Sequence, residues 1–312
     1  MPIAVRHSLD YAKLTAAMAM WGGTWIAGRI IAKELTTPLA VASLRFVLAG
    51  LALAAVALIR DGRIPLPADR QAWGFVWGLG FFGIFLYGLC FFYGLQHIPA
   101  GRGALVVALN PVTVVLAAWA CGQEQMTLRR AAGCVLALAG CLSVIGNGDL
   151  LAPLRGSIGL GEALIICCVL SWTAYTFISR RAMHSLSPLA TTLHASLAGA
   201  LLLGLAAWAE GGVDPAAWSW RIWASTGFLA FFGTAVAYTW FTAAVHRLGA
   251  GHASVFINLV PVFAVLQAAV LLDEHLGVAV LASGALVIAG VALATLPEPS
   301  HPRQPVEARR SS

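Results

Sequence analysis

Ten apolar runs set the terms for this chain. They fall at about 12–32, 38–59, 73–95, 101–121, 129–147, 159–179, 188–209, 222–245, 252–272 and 277–296. Each is roughly 19–24 residues long. As an α-helix rising 1.5 Å per residue, such a run crosses the ~30 Å hydrocarbon core of a bilayer. Lipid offers a free backbone N–H or C=O no water, so runs of this kind have to be helical. Clusters of charges and turn formers divide them, among them Arg60-Asp61-Gly62-Arg63-Ile64-Pro65 and Glu210-Gly211-Gly212-Val213-Asp214-Pro215. No connection is long enough to be a domain, so any chemistry must sit among the helices. The fold expected is an all-α membrane protein with ten transmembrane helices.

The charge content agrees. Only 10% of the 312 residues are charged and 60% are hydrophobic, whereas soluble domains carry about 25% charged residues. So few charges cannot coat a soluble protein of this length. A cytosolic enzyme, a nucleic-acid-binding domain and a disordered chain are thereby excluded, and the partners expected are the lipid bilayer and a small-molecule substrate. The net charge of +6 reads as a topology signal. With the N-terminus inside, thirteen Lys/Arg fall in inner segments and four (Lys33, Arg102, Arg155 and Arg221) in outer ones, with Arg29 and Arg45 inside helices. That excess predicts both termini in the cytoplasm. The six cysteines lie in or beside apolar runs without metal-ligand spacing, so no disulfide framework, metal or cofactor is expected. Monomer and homodimer are equally open.

The chain also repeats itself with a shift of 150. Ala100-Gly101 recurs as Ala250-Gly251, Pro111-Val112 as Pro261-Val262, and Glu124 as Glu274. Phe81-Phe82-Gly83 matches Phe231-Phe232-Gly233, and Pro38-Leu39-Ala40 matches Pro188-Leu189-Ala190. One residue of slip aligns Trp21 with Trp172 and Arg29 with Arg180. Matches at Pro, Glu, Gly and Trp carry more weight than matches among Leu and Ala. Each half, 12–147 and 159–296, holds five spans, and an odd number inserts the second half upside down relative to the first. Inverted repeats of this kind build many secondary transporters. Residues 297–312 form a tail, expected to be cytoplasmic.

These residues carry a family resemblance. A Trp-Gly-x-x-Trp in span 1 (Trp21, Gly22, Trp25), Pro38 with Arg45-Phe46 in span 2, and the repeated Pro-Val and Glu elements resemble the EamA type of the drug/metabolite transporter superfamily. The resemblance covers about residues 10–296 and is closest to the YddG-type exporters of aromatic and other neutral amino acids. It implies spans 1–4 and 6–9 around a central cavity, spans 5 and 10 at the periphery, and a bacterial plasma (inner) membrane.

Transport needs a wet midplane cavity with a few polar or aromatic groups. Trp21 and Trp25 share one helix face, as do Trp172 and Tyr175, while Tyr87 and Tyr238 lie near their span centres. Trp21, Trp172, Tyr87 and Tyr238 sit too deep for an interfacial belt, unlike Trp73, Trp77, Trp208, Trp218, Trp220 and Trp223. Each deep ring either lines the cavity or packs in the core. Asn110 directly precedes Pro111, and Asn258 lies three residues before Pro261. Each proline frees a carbonyl, that of Val107 or Ile257. An Asn beside such a carbonyl either meets a zwitterion or satisfies the broken backbone. Ionisable groups inside spans are functional candidates. Arg45 anchors a carboxylate or serves structure and gating with the two prolines. His194 binds substrate, gates protons or is a satisfied core histidine. Glu162 reads as interfacial. The dipoles of the helices that follow Glu124 and Glu274 account for both carboxylates. No carboxylate occupies a span centre, so the proton relay of a coupled transporter is not visible.

Rival classes fare worse. Gly146-Asn147-Gly148-Asp149 matches a string of intramembrane aspartyl proteases, but no second deep aspartate accompanies it. No catalytic residue is therefore assigned. A channel filter is absent. Phosphorylated cargo calls for several intramembrane cations, and only Arg29 and Arg45 are present. Amphipathic or cationic drugs remain the alternative to amino acids, with nucleotide sugars and sugar phosphates behind them.

Overall fold

The computed structural model describes residues 3–64, 66–156, 158–212, 214–237, 240, 241, 243, 244 and 256–295. All regular elements among them are helices. Helix α1 is Ile3–Glu34, α2 Leu39–Asp61 and α3 Arg70–Leu79, which passes through a π-turn at Gly80–Leu86 into α4, Tyr87–His97. Then come α5 (Ala100–Val107), α6 (Asn110–Ala120), α7 (Leu128–Ile145), α8 (Leu160–Ala182), α9 (Pro188–Ala209) and α10 (Trp220–Ala230), which runs into a second π-turn at Phe231–Val236. Helices α11 (Leu259–Leu271) and α12 (Val278–Thr295) follow. Tyr238 and the tail at 297–312 lie outside the described residues.

Polar caps place the helix starts. Asp69 accepts from the Ala72 amide at 2.7 Å to open α3, Ser187 accepts from Ala190 at 3.3 Å to open α9, and Ser219 accepts from Ile222 at 3.3 Å to open α10. Each satisfies an amide that the first helical turn leaves free. Gly62, at φ 66°, ends α2 in the left-handed conformation.

Among the described residues, seven helical stretches are long and apolar enough to cross a membrane, and α11 is a shorter apolar helix. Two differences from the expected runs have physical causes. Helix α1 continues nine residues before position 12, because its polar first turns still form a helix. The run at 101–121 is divided at Ala108–Leu109 into α5 and α6, where Pro111 supplies no N–H to continue the ladder. Large apolar side chains face outward all round: Ile59 is 87% exposed, Leu128 89%, Val270 81% and Val278 83%. A surface of this kind is tolerated in lipid and not in water.

The repeat is visible in the packing. Both π-turns fall on the repeated Phe-Phe-Gly. A π-turn skips one i→i+4 bond, and each lies where the first helix of the other half donates a side-chain hydrogen bond. Trp21 Nε1 donates to the Gly233 carbonyl at 3.0 Å, and Ser171 Oγ donates to the Phe82 carbonyl at 2.5 Å. Trp21 and Ser171 occupy neighbouring positions in the two copies, so the first helix of each half bonds the π-turn of the other. Helices α2 and α9 pack on each other, with Ser43 Oγ bonded to the Ala200 carbonyl at 2.8 Å. Among the described residues, helices α7 and α12 form the most intimate pair, and both also pack on α5 and α6. A Cβ on Gly133 would lie 2.7 Å from the Gly290 carbonyl oxygen, and one on Gly290 2.7 Å from that of Gly133. Only glycine allows the two backbones to approach so closely.

Candidate functional site

Helix α8 places Trp172, Thr173 and Tyr175 toward the first half, and α4 places Tyr87 and Phe91 toward them. The result is a continuous chain of rings. Trp25 meets Phe91 at 5.0 Å between centroids, Phe91 meets Tyr87 at 6.1 Å, Tyr87 meets Trp172 at 5.9 Å and Trp172 stacks on Tyr175 at 5.1 Å. These separations lie in the range where aromatic pairs attract. Tyr175 lies against Gly83 in the first π-turn, with its ring where a Cβ would stand. Trp25 is 5% exposed and so is Phe91, which makes that end of the chain core. Trp172, Tyr175 and Tyr87 are only partly buried.

A polar group adjoins this wall. Thr113 Oγ1 on α6 and Thr173 Oγ1 on α8 are 2.7 Å apart, and Thr113 Oγ1 also bonds the Asn110 carbonyl at 2.9 Å. The side-chain oxygen Oδ1 of Asn110 is buried and accepts no hydrogen bond among the described residues. A buried acceptor left unmatched is destabilising by about 1–3 kcal/mol, so this oxygen is suited to a donor brought by a ligand. Thr113, Thr173 and Phe91 did not stand out in the sequence. The one available signal was spacing: Thr113 lies three residues after Asn110, on the same helix face.

The remaining candidates divide. Trp21 turns away from Trp25, pairing its ring with Phe241 at 5.2 Å. Asn258 occupies the N-cap position of α11 but its side chain makes no capping hydrogen bond there, and Pro261 is buried inside that helix. His194 is 8% exposed on α9, with its ring 5.8 Å from that of Trp73. Arg45 lies with its guanidinium 4.8 Å from the Phe46 ring. Among the described residues no group of three or more His, Cys, Asp or Glu is placed to hold a metal ion.

The carboxylates behave differently from their expected roles. Glu274 does not serve the helix that follows it. Its Oε1 accepts from Arg29 Nε at 2.9 Å, and its Oε2 accepts from the Ala100 amide at 2.8 Å, so it caps α5 of the other half. The first-turn amides of α5 are free donors, and the partial positive charge there adds to the attraction. Arg29 also donates to the Leu95 carbonyl. Glu162, in the first turn of α8, is 7% exposed and pairs with Arg102 at 3.1 Å. Tyr93 Oη donates to Glu210 at 2.5 Å in the same region. All three contacts join the first half to the second.

The model of the EamA-like transporter family matches residues 11–146 and 159–296, the two repeats. An uncharacterized transporter of Bacillus subtilis, YyaM, is 29% identical over 72% of this chain and 74% of its own length. An uncharacterized transporter of Archaeoglobus fulgidus is 26% identical over 89% and 95%. The uncharacterized inner membrane transporter YedA of Escherichia coli K12 is 28% identical over 96% and 94%. A crystal structure with 23% sequence identity superposes with a TM-score of 0.63 over 92% of this chain and 97% of that one, a likeness of fold.

Proposed function

The chain belongs to the EamA-like transporter family and is a membrane transporter, and from that premise we propose that it exports small neutral and aromatic amino acids. In this reading ten spans form two inverted five-helix halves. The cavity between them opens alternately to either face of a plasma membrane, with both termini cytoplasmic.

One observation carries the substrate class: the aromatic chain ending in Trp172 and Tyr175 adjoins the polar group of Asn110, Thr113 and Thr173. Rings stack on an aromatic side chain and attract an ammonium group through their faces. The unmatched Asn110 oxygen is an acceptor for that ammonium. Arg29 and Arg102 are engaged by Glu274 and Glu162, which disfavours a phosphorylated cargo. Asn258 would add a further polar group from the second half, and the expected role of Tyr238 falls outside the described residues. His194, beside the Trp73 ring, would act on gating rather than on the substrate.

Purified protein in liposomes should take up labelled phenylalanine, methionine or threonine above empty vesicles. Trp172→Ala and Asn110→Ala should lower uptake about threefold to tenfold, the span of roughly 0.7–1.4 kcal/mol, at unchanged expression. Uptake of a sugar phosphate in place of amino acids would sink the proposal. Uptake of cationic drugs alone would favour the drug-export alternative.

A further inference from the structure

The contact between Arg29, Glu274 and the start of α5 has a counterpart in the repeat. Arg29 lies eight residues after Trp21, and Arg180 lies eight after Trp172. Glu274 lies thirteen residues after Pro261, and Glu124 thirteen after Pro111. The repeat that places Arg29 against Glu274 at one face therefore provides Arg180 and Glu124 at the other. The two pairs are in opposite states. The first is made at 2.9 Å, with side chains only 10% and 16% exposed. In the second, Glu124 instead bonds Arg130 at 2.9 Å within its own half, and Arg180 is exposed, with its guanidinium 5.8 Å from the Phe177 ring. Ala250, the counterpart of Ala100, lies outside the described residues.

We propose that the two pairs are alternating latches. Arg29–Glu274 ties the halves together at the outer face in the state seen here, and Arg180–Glu124 ties them at the inner face when the outer latch is broken. The proposal rests on the inverted-repeat, alternating-access reading above. Each latch joins a first-helix arginine of one half to the carboxylate between the fourth and fifth spans of the other, so making one is a contact between halves, whereas Glu124–Arg130 is not. Arg130 holds Glu124 in reserve while the inner latch is open. Two latches of the same construction at opposite faces give the two end states similar stabilisation, as a carrier that cycles between them requires.

The test uses a Thr173→Cys thiol in full-length protein whose native cysteines are serine. A membrane-impermeant maleimide is applied to right-side-out and to inside-out vesicles. Removing the inner latch by Arg180→Ala or Glu124→Gln should disfavour the outward-open state, lowering labelling from outside relative to inside by about twofold to fivefold, the range for a solvent-facing pair. Arg29→Ala or Glu274→Gln should shift the ratio the other way. The exchange Arg180→Glu with Glu124→Arg should restore it, which a variant that simply folds poorly would not. Labelling from both faces with no response to Arg180→Ala or Glu124→Gln overturns the latch and leaves alternating access standing. Labelling from one face only overturns both.

Discussion

Arg102 and Glu162 show how little a charged residue's place in the sequence says about its surroundings. Arg102 counts as an outer-loop cation and Glu162 as an interfacial carboxylate, yet they form an ion pair at 3.1 Å with side chains 14% and 9% exposed. Arg102 also donates to the Ile145 carbonyl. Removing one member of such a pair leaves a buried charge uncompensated, which is destabilising by about 3–5 kcal/mol. Arg102→Ala should lower the unfolding temperature in detergent clearly, and the double variant Arg102→Met with Glu162→Leu should recover most of the loss. A single variant as stable as the parent would show the pair to be inert. The same gap between sequence and surroundings separates Trp21 from Trp25. Four-residue spacing puts both on one face, but their neighbours come from helices far along the chain: Phe91 on α4 for Trp25, and Phe241 for Trp21. Helical spacing gives direction, and only packing gives a partner.

At the scale of elements, most of the architecture was legible. Apolar length and turn chemistry place most of the described helices to within a few residues, the start of α1 and the break between α5 and α6 apart, and α9 begins and ends where its run does. The π-turns were not legible as such, although the repeated Phe-Phe-Gly marks their positions. What stabilises a π-turn is a hydrogen bond from another helix, and no local propensity encodes it. Glycines divide in the same way. A Cβ on Gly74 of α3 would meet nothing within 4 Å, whereas a Cβ on Gly290 would press on the Ala137 amide and the Gly133 carbonyl. Backbone neighbours cannot rotate aside. Gly290→Leu should therefore pry α12 from α7 and reduce the yield of folded protein sharply. Gly74→Ala should be neutral or stabilising by up to ~1 kcal/mol, since alanine is the better helix former. Thermal unfolding of both variants checks this, and equal behaviour would refute the close-approach argument.

For the whole molecule, the decisive property is the sense in which the second half lies in the membrane. Hydrophobic length and repeated motifs show two similar halves, and the family match falls on both. Their relative sense follows only from counting spans and from the Lys/Arg distribution. Cys121 offers a native reporter. It is exposed at the end of α6, while Cys90, Cys134, Cys141 and Cys168 are buried and Cys167 is half-buried. His275 lies in the corresponding connection of the second half, beyond α11, with its side chain 75% exposed. Between them the proposed topology puts five spans. An odd number sends the two positions to opposite faces, and the charge distribution makes the face of Cys121 cytoplasmic. A membrane-impermeant maleimide should then label Cys121 in inside-out vesicles and not in intact cells. A His275→Cys thiol in a Cys121→Ser background should show the reverse. Labelling of both from one face would mean an even number of spans between them and parallel halves, and the reciprocal latches at Arg29 and Arg180 would fall with the inversion.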